Sequence, residues 1–234
     1  MGKKSKNQPR ESKEIFESPE AIADKISKTE EFVARNKNIV LTILGIIVVS
    51  VAGFFAYRSY INGQNELAQS ELFQAVYYFE MDSLDKALNG DGNNFGLLDI
   101  ARDYSWTKAG NLANFYIGVS YLKKVEFENA IEYLGKFNSD DLVIQARAFS
   151  LIGDAYMELG NYYDALDYYN QAIDYKPNKY FTPQYLIKAA VAYEKLNDFE
   201  SAKKCYKTIV DEYYDSDQFT EARKQEARLK GLAS

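Results

Sequence analysis

The sequence predicts an all-helical protein: one apolar helix near the N-terminus, then a solenoid of helical hairpins closed by a capping helix. Three observations lead there. Apolar residues recur at spacings of three and four over long stretches, with little strand-like alternation. Ile39–Tyr57, IVLTILGIIVVSVAGFFAY, is 19 residues without a charge. Beyond residue 110, one block of sequence returns twice at a spacing in the middle thirties.

At the start, MGKKSKNQPRESK reads as a disordered tail. SPEAIADKISKTEEFVARNK then reads as a short amphipathic helix with Ser18 as cap and Pro19 in the first turn. Ile22, Ile26, Phe32 and Val33 would form its apolar side. Residues 1–38 together are expected to form a cytoplasmic tail.

The apolar run comes next, and residues 39–58 are expected to cross a membrane. As a helix it would be about 28 Å long, close to the hydrocarbon thickness of a bilayer. A cleaved signal peptide fits less well, because the run continues past Ser50 and Ala52 into Phe54 and Phe55. Residues 1–38 hold nine Lys and Arg, whereas residues 59–78 hold none. That bias keeps the N-terminus in the cytoplasm and sends the rest across. Ala52 and Ala56 make a small-xxx-small pair suited to helix packing. SYINGQ is a short polar stretch between the span and the first helix of the array.

The repeat fills residues 65–234. GDAYMELGNYYDALDYY is matched upstream by GVSYLKKVEFENAIEYL and downstream by AVAYEKLNDFESAKKCY. Tyr121, Tyr156 and Tyr193 recur at intervals of 35 and 37, as do Ala130, Ala165 and Ala202. That period, with two helices per unit, is the tetratricopeptide length class. The unit from Ala146 resembles the tetratricopeptide repeat in detail: Gly153, Tyr156, Gly160, Ala165, Tyr169, Ala172 and Pro177 stand at its small, aromatic, turn and terminal positions. Gly153 is expected to let its helix approach the next one at Ala165, with tyrosines filling the space around them. Gly118 in the unit before and Ala190 in the unit after hold the same small position. The units are placed at about 111–145, 146–182 and 183–215. A degenerate repeat at 65–110 carries Ala75, Tyr78 and Ala87 and has a short second helix. The polar segment 216–234 is the cap that solvates the open end.

Chemistry is scarce. The chain has no histidine, which removes the commonest general base and transition-metal ligand. Its one cysteine, Cys205, can form neither an internal disulfide nor a cysteine zinc site, and it reads as a core filler. The loop Asn89–Gly96 is rich in Asp and Asn but fails the EF-hand pattern, with Asn94 at the glycine and Ile100 at the glutamate position. Asn138–Asp141 and Asp215–Asp217 read as helix caps. No phosphate loop, nucleophile elbow or metal-ligand pair is present, so no enzyme, cofactor or metal is expected. Residues 59–234 carry a net charge of −9, which disfavours nucleic acid.

A binding surface remains. The tetratricopeptide resemblance implies that the first helix of each unit lines a concave face. Its facing positions would be Phe115, Val119 and Leu122, then Ser150, Asp154 and Met157, then Ile187, Val191 and Glu194. These residues either receive a partner segment or pack against the neighbouring first repeat and the cap. The 20 tyrosines are assigned mainly to packing.

The run EEFVARNKNIVLTILGIIVVSVAGFFAYRSYINGQNELAQSELFQAV, with Phe32, Asn36 and Arg58, is similar to the equivalent part of the YfgM family, in a layout match over about residues 28–230. That family consists of single-pass inner-membrane proteins of Gram-negative bacteria. They are ancillary partners of the Sec translocon and of a membrane-anchored, prolyl-isomerase-like periplasmic chaperone. The resemblance implies a periplasmic adaptor near nascent secreted chains. The competing reading is a structural scaffold for envelope or cell-division complexes.

Overall fold

Helices account for the regular structure of the computed structural model, which describes residues 27 and 29–232. The expected tail, Ser18, Pro19, Ile22 and Ile26 lie outside the described residues. Residues 29–35 are helical, with Phe32 and Val33 exposed. Two compact units divide the chain at Arg58–Ser59.

Helix α1 spans Lys37–Glu80. Its apolar run is exposed along almost its whole length. This helix is long and apolar enough to cross a membrane, and none of its most apolar stretch is buried. SYINGQ is not a linker: residues 59–64 are helical. No proline interrupts them, and nothing packs within 4 Å of where a Cβ on Gly63 would stand. Ile61 and Gln64 are half-buried.

Among the described residues, the C-terminal unit holds four helix pairs. The first joins residues 65–80 of α1 to the six-residue α2 (Leu84–Asn89), followed by α3 (Leu97–Asp103). The others are α4 (Lys108–Lys123) with α5 (Phe127–Lys136), α6 (Ile144–Glu158) with α7 (Tyr162–Asp174), and α8 (Thr182–Lys195) with α9 (Phe199–Glu212). Helix α10 (Phe219–Leu232) closes the series. It buries Ala222 and Leu229 against α9 and the rest of the last pair.

Each pair turns in the same way. Asp82, Val125, Gly160 and Asn197 all take positive φ, from 55° to 77°. The amide of the next residue donates back to a tyrosine carbonyl: Ser83 to Tyr78, Glu126 to Tyr121, Asn161 to Tyr156 and Asp198 to Tyr193, each at 2.9 Å. The positive-φ residue itself donates to Phe79, Leu122, Met157 and Glu194 in turn. Together these are the two bonds of the Schellman turn, which satisfies carbonyls that a helix end leaves open. The recurrent tyrosines thus mark backbone acceptors as well as packing rings.

Seven residues before each turn the first helix is small: Ala75, Gly118, Gly153 and Ala190, all buried. Five residues after it the second helix is alanine: Ala87, Ala130, Ala165 and Ala202, all fully buried. A Cβ on Gly118 would stand 2.4 Å from Leu134 Cγ. One on Gly153 would stand 2.6 Å from a Tyr169 ring carbon. Gly153 therefore makes room for the Tyr169 ring rather than for an approach at Ala165, because an aromatic side chain leans back over the preceding turn of its own helix.

Aromatic pairs fill the next layer. Tyr121 and Tyr133 lie 5.7 Å apart, and Tyr156 and Tyr168 stack at 5.6 Å. In the last pair Cys205 takes the place of the second ring and packs among Tyr193, Leu186 and Ala202. Burial pushes its thiol up to about 11. It is a filler by position as well as by type.

The caps follow local chemistry. Thr107 Oγ1 accepts from Gly110 N at 3.0 Å to start α4, and Asp198 accepts from Ser201 N at 3.1 Å to start α9. Asp141 accepts from Val143 and Ile144 at 2.8 and 3.0 Å ahead of α6. Asp215 pairs with Lys179 at 2.8 Å across a connector. In the loop at Asn89–Gly96, Asp91 accepts from Tyr78 OH at 2.6 Å and from the amides of Asn93 and Asn94 at 2.9 and 2.8 Å. The tyrosine bond first, and the amides next, hold its carboxyl well below the usual carboxylate range. Its oxygens are committed to shaping the loop.

Val125 is a β-branched residue at φ 62°, where such side chains strain the backbone by about 1–3 kcal/mol. Val125→Gly removes that strain and costs about 0.5–1 kcal/mol in unfolded-chain entropy. The substitution should stabilise by about 1 kcal/mol, read as a higher urea midpoint; a lower midpoint contradicts the strain. Gly153→Ala should destabilise, because overpacking against Tyr169 costs about 1–3 kcal/mol and exceeds the gain of about 1 kcal/mol in helix propensity. An unchanged or raised midpoint would show that the ring yields freely.

Candidate binding surface

The first helices of the four pairs carry the surface to be judged, and the nine expected facing residues fall into different environments. Phe115 is only 8% exposed; its ring lies 5.3 Å from that of Phe137. Val119 and Leu122 are half-buried against the same cluster, which includes Leu134 and Ile152. These three form the packing between the second and third pairs. Ser150 is 2% exposed. Its hydroxyl accepts from Lys188 Nζ at 2.8 Å. Asp154 accepts from Lys188 at 2.6 Å and from Tyr169 OH at 2.8 Å. Burial first, and the Asp154 charge next, push the Tyr169 hydroxyl far above its ordinary range, so it stays a donor. Met157 and Ile187 are half-buried against the cores of the last two pairs. Glu194 accepts from Tyr206 OH at 2.9 Å and pairs with Arg228 of α10. Of the nine, Val191 alone is classed as exposed.

The ridge that lines the clefts lies one residue further on, with Arg147 and Gln184 its exposed members. Leu112 and Tyr116 on α4, Arg147 and Leu151 on α6, and Gln184 and Lys188 on α8 stand at equal offsets from their turns and line clefts. In an α-helix one residue turns the side chain by about 100°. An error of one position therefore exchanges a cleft wall for inter-pair packing. Ser150 and Asp154 are brought together by Lys188, beside a 290 Å³ cleft that also holds Arg147, Leu151 and Tyr185. Val191 and Glu194 share a shallow 380 Å³ cleft with Arg228 and Gln225 of the cap. The Phe115 group joins neither.

A largely apolar recess lies where the repeat is most degenerate. Gln69, Leu72, Phe73, Val76, Tyr77 and Glu80 of α1 face Leu112 and Tyr116 of α4 across a groove of 390 Å³. Phe73 is 75% exposed and Tyr77 49%. Ala68 and Ala75 bury the opposite side of the same helix, with Leu72 between the two sides. Two large aromatics four residues apart on the solvent side of a helix are not needed by the core. Sequence reasoning missed them, because Ala75 and Tyr78 alone identified this repeat. The available signal was the phase: Phe73 and Tyr77 fall away from the face of Ala68 and Ala75.

Family models for the tetratricopeptide repeat match residues 146–179 and 184–216. The chain carries tetratricopeptide repeats. Similar solved structures include two of a Podosopora anserina putative kinesin light chain with nearly identical TPR-like repeats, one of them a form with a single substitution. The substituted form is 13% identical with a TM-score of 0.55, covering 71% of this chain and 85% of its own. The other is 13% identical with a TM-score of 0.54, covering 71% and 86%. At that identity the likeness concerns the fold. No curated protein matches the chain.

Glu194 links three helices, since it also receives the Tyr206 hydroxyl of α9. Glu194→Ala leaves the buried Tyr206 hydroxyl without its acceptor and cuts the ion pair to Arg228, which keeps Gln225, and should destabilise by about 1–3 kcal/mol. Hydrogen exchange should speed up first in α10; unchanged exchange there would show that apolar packing alone holds the cap.

Proposed function

We propose that this protein is a membrane-anchored adaptor whose repeat array docks a segment of a partner protein. The observation that carries this reading is the groove beside Phe73 and Tyr77, open on an array of a kind that serves as a protein-interaction scaffold. Exposed aromatics of this size supply most of the energy where they enter a partner's pocket. A tetratricopeptide scaffold is typically non-enzymatic, and the clefts on the first-helix face hold packing networks rather than a poised acid–base pair.

The anchor is the apolar run Ile39–Tyr57. Leaving so many apolar side chains in water would cost far more than a domain's net stability. The excess of Lys and Arg before the run, and their absence from residues 59–78, favour a cytoplasmic N-terminus and a periplasmic array. With the resemblance to the YfgM family, this supports an inner-membrane adaptor of the Sec translocon and the periplasmic chaperone network. Anchoring would raise the effective concentration of a weak binder beside partners confined to the same membrane.

A photo-crosslinking residue at Phe73, used in native membranes, tests the reading. Adducts with a translocon subunit, a membrane-anchored chaperone or secreted chains are expected. Adducts confined to peptidoglycan-associated or division proteins would favour the scaffold reading, and cytosolic adducts would reverse the sidedness. Phe73→Ala with Tyr77→Ala should reduce partner capture about tenfold or more and leave the helical signal unchanged.

A further inference from the structure

The loops that enter each first helix are tied to one another along one edge of the C-terminal unit. Asn65 Oδ1 accepts from Ala109 N at 3.0 Å, which fixes the start of α4 beside residue 65. Asn111 Nδ2 donates to the carbonyl of Asn138 at 2.8 Å, and Asn111 Oδ1 accepts from Asn138 N at 3.1 Å. Tyr175 OH donates to the Ser139 carbonyl at 2.8 Å. The connectors before α4, α6 and α8 therefore form one continuous rim.

This rim shows the side chains suited to a membrane interface. Trp106, the chain's only tryptophan, is 53% exposed in the connector before α4. Tyr60 and Leu142 are exposed as well, and Tyr180 extends the series. Tryptophan and tyrosine concentrate at headgroup level because one end of the ring system is apolar and the other makes hydrogen bonds. Lys108 and Lys176 share the rim with Asp140 and Asp141, all exposed. Mixed charge of this kind suits zwitterionic headgroups better than a strongly anionic surface.

Exposed apolar residues occur at the opposite rim too, with Val125 and Tyr163 among them. The tether separates the two rims. Residues 59–65 are helical, so Asn65 lies only about 10 Å along the helix from Arg58. The opposite rim begins beyond Glu80, about 22 Å further along the helix from Asn65. The first rim is the one nearer, along the chain, to the bilayer that would take up the apolar run.

We propose that the rim bearing Trp106 seats in the headgroup region of the membrane, so that the array is held at the lipid surface by a second contact besides its anchor. The proposal rests on the reading of Ile39–Tyr57 as a membrane span. It leaves the Phe73 groove free for a protein partner.

Trp106 is its own reporter. The full-length protein is reconstituted into phosphatidylcholine vesicles, and flotation after an alkaline carbonate wash establishes anchoring. Trp106 emission is then read with lipids spin-labelled at the headgroup. The comparison protein carries Val125→Trp with Trp106→Phe, which moves the reporter to the opposite rim. Trp106 should be quenched at least about twofold more strongly than the Val125→Trp reporter, with blue-shifted emission. Equal quenching in a protein that floats overturns the rim contact and leaves the anchor standing. A blue shift without lipid quenching means that another copy of the chain covers the rim, which also overturns it. Failure to float overturns the anchor and the rim contact together.

Discussion

Two helices in each pair must approach closely enough for a large side chain on one to rest over a position on the other that has little or no side chain. At Gly118 the room goes to Leu134, and at Gly153 to Tyr169. Ala190 stands at the same place opposite Tyr206, which is nearly fully buried. This steric condition fixes the rest. It sets which face of the second helix turns inward, brings Ala130, Ala165 and Ala202 into the seam, and places the Tyr121–Tyr133 and Tyr156–Tyr168 rings above it. The Schellman turns then close each pair with no freedom in length. The last three pairs share these terms, so they stack with similar geometry and bury a core that none could bury alone.

The stacking accounts for the divided character of the first helices. One side of α4 and α6 is used up in joining neighbouring pairs, through Phe115, Phe137 and Ile152. Another is locked by polar groups, as Lys188 joins α8 to Ser150 and Asp154 of α6. Net gain from such a bridge is modest, but leaving any of its members unpaired would be costly. The bridge acts as a register pin more than as a source of stability. Between these two sides runs the cleft-lined strip, which is largely apolar where α1 meets α4.

The sequence made the recurring features legible. Tyr121, Tyr156 and Tyr193 disclosed the period, and the family matches at 146–179 and 184–216 fall on two of the units drawn from it. Small residues and turn positions are readable because their constraint is local and repeats. The surface was less legible. Phe115 and Ser150 sit one position away from the cleft-lining ridge, and one sequence cannot fix the phase of a helix to better than one residue when both flanking faces are partly apolar. The helical state of SYINGQ was hidden for another reason. Its polarity suggests a linker, yet Ile61 is half-buried and Asn65, just beyond it, finds its partner in the folded unit. Phe73 and Tyr77 escaped because identifying a degenerate repeat draws on the residues that pack.

The positive-φ residues of the four intra-pair turns are spaced by 43, 35 and 37 positions, while the turns they form share one hydrogen-bonding pattern. All variation in unit length therefore lies outside those turns: in the short α2, in the extra helix α3, and in the connectors leading into α4, α6 and α8. The array is conservative on one flank and permissive on the other. Insertions, deletions and grafted segments would be absorbed on the permissive flank without shifting the phase of the seams. Divergence among chains built on this plan would collect there, leaving the opposite turns as the constant ruler by which unlike arrays could be aligned.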